Sequence, residues 1–167
     1  MRPRHASRDL CRAREFEAYV AGAGGRLLHT ATLLTAEAPG DNPHARRLLI
    51  RALAHTYASW DRLRGDDPYE VTRRYLAIRF AHGVRHRHRG LLRSRPLPQS
   101  PLARLSPRER LVLVLRFHEG VAEERTAALL GLPADRVRTI CHRATAALLD
   151  PPREPAPAVG GAGAAPS

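Results

Sequence analysis

From about residue 15 to residue 149 the apolar side chains recur at helical spacing, and no window alternates with period two. Phe16, Val20, Leu27, Leu28, Ala31 and Leu34 fall on one stripe of a first helix, and Gly22, Gly24 and Gly25 in its middle predict a kink. After Pro43 a second amphipathic segment, His44 to Trp60, places Leu49, Leu53, Tyr57 and Trp60 on one side, with Arg46, Arg47 and Arg51 elsewhere. A turn-like run from Asp61 to Pro68 leads to a third helix, about Tyr69 to His88. There Leu76, Phe80 and Val84 share a face and the outer side is basic.

A second helical block has sharper local signals. Ser106, Pro107 and Glu109 spell a capping box with proline in the first turn, so a helix starts there. Leu111, Val112, Val114 and Leu115 make it a buried helix, and Gly120 suits its end. A short helix follows, about Ala122 to Leu130, with Glu123 and Glu124 at its positive end. Gly131 permits a turn, and Pro133 can open a last helix. Its inner face carries Val137, Ile140, Cys141, Ala144 and Leu148, and its outer face Arg136, Arg138, Thr139, His142 and Arg143. A short helix, a glycine turn and a longer helix with a basic outer face predict a helix-turn-helix, the second helix of which enters a DNA major groove.

The expected fold class is therefore all-α, with two small helical domains. Residues 15–88 form a three-helix bundle and residues 102–149 the helix-turn-helix. Residues 89–101, interrupted by three prolines, join them. Residues 1–14 are expected to be a disordered basic tail, and residues 150–167, rich in Pro, Ala and Gly, a disordered tail with little to bury.

Charge strengthens the nucleic-acid reading. The chain has 28 basic and 16 acidic residues, a formal net charge of +12, and every basic residue is arginine. An excess of this size points to a polyanion. From Val71 to Arg108 ten arginines occur with no acid, so a phosphate backbone is the simplest neutraliser, with affinity that falls as salt rises. The bland alternatives are a solvated helix face and a nonspecifically basic linker. The glycine turn ahead of the arginines favours DNA.

Other chemistries find little support. Cys11 and Cys141 lack a CxxC or CxxH neighbour, and His86 and His88 lie two apart on a helix, facing different ways, so no metal site is expected. Asp66 with Asp67, and Glu123 with Glu124, read as a turn and a helix start; no catalytic constellation and no cofactor are expected. No apolar run approaches the roughly 18 residues of a membrane span, and the Arg-rich start lacks the apolar core of a signal peptide. A cytoplasmic protein without a membrane partner is the expectation.

Leu105 to Leu149, LSPRERLVLVLRFHEG followed by TAALLGLPADRVRTICHRATAALL, resembles region 4 of the extracytoplasmic-function RNA polymerase sigma factors of the actinobacterial sigma-E type. FEAYV at Phe16, LLHTATLLT at Leu27, ALAHTYASWDRLRGDDP at Ala52 and the pair Arg73 and Arg74 resemble their region 2 in divergent form. The resemblance implies a transcription initiation factor whose partners are core RNA polymerase, promoter DNA and, in some members, an anti-sigma factor. On it, Arg136, Arg138, Thr139, His142 and Arg143 read the −35 element. Trp60, Asp66, Asp67, Arg73, Arg74, Arg85 and Arg87 engage the −10 element, and Leu48, Leu49, Ala52 and Leu53 meet polymerase. Where the family pattern is acidic this chain reads NPHARRLLIRAL, with Arg46, Arg47 and Arg51. A stand-alone helix-turn-helix DNA-binding regulator, or a sigma-derived interaction protein that no longer engages core polymerase, is thus the second function open to the chain.

Overall fold

The computed structural model describes residues 3–63, 65–87 and 100–149, with side chains from residue 7 onward and, in the third helix, as far as residue 83. Six helices follow in order: α1 Pro3–Thr35, α2 Pro43–Ala58, α3 Pro68–Arg87, α4 Pro107–Leu113, α5 Glu123–Leu130 and α6 Ala134–Leu149. Short 3-10 turns at Trp60–Arg62 and Pro101–Arg104 precede α3 and α4. No strand occurs among the described residues, as the absence of period-two alternation predicts.

Helix α1 corrects one expectation: it begins at Pro3, inside the stretch assigned to a disordered tail, and it continues as one helix past the three glycines. That stretch lacks an apolar stripe because polar contacts hold it: Arg12 pairs with Asp61 at 3.3 Å and lies over the Tyr57 ring at 4.8 Å. Its Arg, Ala and Leu residues are good helix formers, so a helix needs few tertiary contacts to persist here. The expected tail at residues 150–167 lies outside the described residues, as does the expected linker up to residue 99.

The first block packs Leu27, Ala31 and Leu34 of α1 against Ala45, Leu49 and Ala52 of α2 and against Leu76 and Ala77 of α3. Burying a residue the size of leucine contributes about 1.5–3 kcal/mol, so these apolar stripes decide the packing. Three hydroxyls add a polar tie through the middle: Thr72 Oγ1 lies 2.7 Å from both the Tyr19 hydroxyl and Thr56 Oγ1, joining α1, α2 and α3. The same core continues into Leu111, Val114, Leu115 and Val121, so the second block sits directly against the first.

Within the second block the capping box forms as the sequence predicts. Ser106 Oγ accepts the Glu109 amide at 3.3 Å, and the Ser106 amide donates to Glu109 Oε2 at 2.9 Å. Helix α4 then widens into a π turn over Val114–His118, where the Glu119 amide reaches the Val114 carbonyl at 3.0 Å. Gly120 closes the turn at φ +65°, a left-handed conformation that side chains disfavour. Gly131 does the same between α5 and α6 at φ +64°.

Candidate nucleic-acid interface

Helix α6 is clamped along its inner face, where Val137, Ile140, Cys141 and Ala144 are all buried. Val137, Ile140 and Cys141 pack on Val112 of α4 and Ala127 of α5, while Ala144 packs on Leu105 and Leu113. A rod fixed on one side must present the other. Arg136, Arg138, Thr139, His142 and Arg143 are accordingly all exposed. The five side chains that the sequence assigned to a reading face share the solvent side of one helix.

Two of these arginines are held by acids of neighbouring helices. Arg138 Nη2 donates to Glu123 Oε1 at 2.7 Å, with Nε 3.4 Å from the other oxygen, bridging α6 to the first residue of α5. Arg143 Nε donates to Glu109 Oε1 at 2.8 Å, bridging α6 to α4. The Glu109 carboxyl is held below the usual carboxylate range, chiefly by the Ser106 hydroxyl and further by Arg143. The Arg138 guanidinium is pushed up by its hydrogen bond to Glu123. Both arginines thus stand oriented before any ligand arrives, and both keep side-chain exposures near two thirds, 64% and 65%. Thr139 Oγ1 donates back to the Asp135 carbonyl at 2.9 Å.

The residues assigned to the first block are used differently. Trp60 is half-buried in an aromatic cluster, 5.1 Å from Phe16 and 5.4 Å from Tyr19, and its indole N–H points to Glu15 at 3.4 Å. Asp67 Oδ1 accepts the Tyr69 amide at 2.9 Å and so caps α3. Asp66 and Arg74 are exposed. Arg73 is turned inward, 3.7 Å from both Glu70 and Glu119. Trp60 and Arg73 are therefore packed groups in this conformation rather than open DNA contacts, because α1 covers the one and Glu119 holds the other. Arg85 and Arg87 lie on the last turn of α3, outside the residues whose side chains are described.

The four residues assigned to polymerase lie on or beside the inner face of α2. Leu49 and Ala52 lie in the core, and Leu48 and Leu53 are half-buried against it. They hold α2 in place, and a partner cannot reach the first two. The solvent side of α2 instead carries Arg47, Ile50, Arg51 and Ala54, with Ile50 63% exposed.

A group that the motifs do not mark sits at the junction of the blocks. The Glu119 side chain is completely buried and accepts the Tyr69 hydroxyl at 2.9 Å and 3.0 Å on its two oxygens. The Thr30 hydroxyl also donates to it, and the Arg26 and Arg73 guanidiniums stand 3.4 Å and 3.7 Å away. Burial, reinforced by this carboxylate, pushes the Tyr69 hydroxyl up to about 12. The one local signal for it is a lone acid ending the run Val112 to His118.

Comparison with known proteins agrees with this geometry. The sigma-70 region 4 family matches residues 102–148, which contain α4 to α6. The RNA polymerase sigma-E factor of Streptomyces coelicolor is 34% identical over 154 residues, covering 80% of this chain and 84% of that protein. The chain belongs to the extracytoplasmic-function sigma factor family. The sigma-E factor of Streptomyces avermitilis is 33% identical over 154 residues, again covering 80% of this sigma factor. A solved sigma factor RpoE, crystallised in complex with the anti-sigma factor NepR from Bartonella quintana, shares the fold, with a TM-score of 0.60 at 20% identity. That likeness covers 81% of this sigma factor and 94% of the solved chain. No helix among the described residues is long and apolar enough to cross a membrane.

Proposed function

We propose that this sigma factor directs core RNA polymerase to promoters by laying the outer face of α6 in the major groove of the −35 element, while residues 15–88 engage the −10 element. Residues 102–149 form the reading domain. The observation that carries this is the array of Arg136, Arg138, Thr139, His142 and Arg143 on the free side of a helix whose inner side is locked. Arginine paired bidentately with guanine is the commonest specific base contact in a major groove. Arg138 and Arg143 have the length and the fixed stems for it, and Arg136 suits a phosphate. Of the seven first-block groups assigned to the −10 side, Asp66, Asp67, Arg74, Arg85 and Arg87 are kept in this reading, while Trp60 and Arg73 are packed. Polymerase meets the exposed side of α2, around Arg47, Ile50 and Arg51, and an anti-sigma protein is a further partner by family. The protein works in the cytoplasm, where promoter DNA and polymerase are found, and supplies binding rather than chemistry.

Run-off transcription with purified core polymerase tests this reading. Promoter-dependent transcripts are the expected result. The basic face of α2 favours a second reading, a DNA-binding regulator that leaves core polymerase alone. A shifted DNA band with no transcript would establish that one instead.

A further inference from the structure

Among the described residues Glu119 is the one acidic residue that is buried. Its own block offers it little. The nearest basic group there is the adjacent His118, whose Nε2 is 3.8 Å away and whose ring is favoured in the neutral form by burial. Its short contacts cross to α1 and α3, with Arg26 and Thr30 on the first and Tyr69 and Arg73 on the second. Taking a carboxylate out of water is costly unless cations and donors replace the lost hydration. Here two hydroxyls and two guanidiniums do so. They are themselves arranged for it: Arg26 stacks over the Tyr69 ring at 4.9 Å, and Arg73 is steadied by Glu70. His29 and His118 face each other across the same seam, ring centres 5.0 Å apart.

We propose that Arg26, Thr30, Tyr69 and Arg73 form a carboxylate-receiving cradle on the first block, that Glu119 fills it in the resting chain and holds the blocks together jointly with the shared apolar core of Leu111, Val114, Leu115 and Val121, and that emptying it tips the balance toward parted blocks. The consequence for promoter engagement rests on the function proposed above. The −35 and −10 elements lie about 25 base pairs apart, about 85 Å along a duplex that rises ~3.4 Å per base pair on each strand. A compact chain of this size has a radius of gyration of about 15 Å, and so a span near 40 Å. The closed form cannot touch both elements at once. Residues 88–99 span at most about 40 Å when extended, enough to let parted blocks spread along DNA. Closure also keeps Arg73 turned away from solvent. Glu119 is therefore a latch that restrains two-element binding until something stronger takes its place.

Small-angle scattering of the full chain tests the latch without DNA or polymerase, so failure of the promoter reading leaves the result standing. Wild type is expected near the compact value. Glu119→Gln keeps the shape of the side chain and removes its charge. It is expected to move the radius of gyration toward the roughly 25 Å of two 75-residue bodies held about 45 Å apart. Tyr69→Phe with Arg73→Gln, which empties the cradle from the other side, is expected to do the same, and adding Glu119→Gln to that pair to expand the chain no further. Helix content by circular dichroism checks that each variant stays folded. A folded Glu119→Gln chain as compact as wild type, or a wild-type chain already expanded, would overturn the latch. In run-off transcription at limiting sigma factor, Glu119→Gln is expected to raise transcript yield. Expansion without that gain would overturn the claim that closure restrains promoter engagement.

Discussion

Glu119 and Glu123 stand four residues apart and both face arginines, yet they do opposite things. Glu119 is dehydrated, and its partners on α1 and α3 are 46 (119 − 73) to 93 residues away in sequence. Glu123 holds Arg138 at the surface, within one helix-turn-helix. The same chemistry produces a long-range junction where water is excluded and an exchangeable tether where it is not. What sets the outcome is the degree of burial: the Glu119 side chain is fully buried between the blocks, whereas Glu123 is mostly covered and its partner Arg138 stays 64% exposed.

The comparison can be broken most directly through the apolar core. Leu115→Ala, at a side chain 1% exposed in the core shared by both blocks, is expected to cost about 2–5 kcal/mol in urea unfolding. A loss under about 1 kcal/mol would show that the blocks do not share a core. On the surface side, Arg138→Ala is expected to cost about 1–3 kcal/mol of discrimination between matched and mismatched −35 duplexes. Equal weakening on all duplexes would reduce Arg138 to a phosphate contact.

Smaller effects sharpen the contrast. Ser106→Ala removes the capping box beneath Glu109 and is expected to lower thermal stability by about 1 kcal/mol. Glu123→Gln, which leaves every partner solvated, is expected to cost about 0.2–1 kcal/mol, and a cost several times larger would mean that this pair is not exchangeable. His118 supplies the smallest test. Burial depresses its folded value below the ordinary histidine value near 6.5, so the neutral ring is favoured in the fold. Its stabilisation is complete above pH 6.5 and is lost as pH falls through the folded value. His118→Gln is expected to flatten that limb of a stability-versus-pH curve, and an unchanged limb would assign it to other groups.

The helix-turn-helix was legible residue by residue because its signals are local. A capping box, two glycines at left-handed positions and one apolar stripe fix α4 to α6, and the exposed face follows by elimination. The start of α1 was illegible for the converse reason. A helix held by Arg12 to Asp61 and by Glu15 to Trp60 shows no apolar stripe. The burial of Leu49 and Ala52 was not foreseen, because resemblance marks a segment and does not say which side of it faces the core. Glu119 could not be foreseen from spacing, since its partners come from helices that only tertiary packing brings near.

The tethered arginines of α6 have a thermodynamic consequence. A guanidinium that begins bound to a carboxylate and ends on DNA trades one anion for another. The phosphates release condensed ions as usual, but the abandoned Glu109 and Glu123 must gather cations of their own. If Arg138 and Arg143 move from these carboxylates to DNA, the logarithmic dependence of affinity on ionic strength is expected to be shallower than a tally of contacting arginines implies.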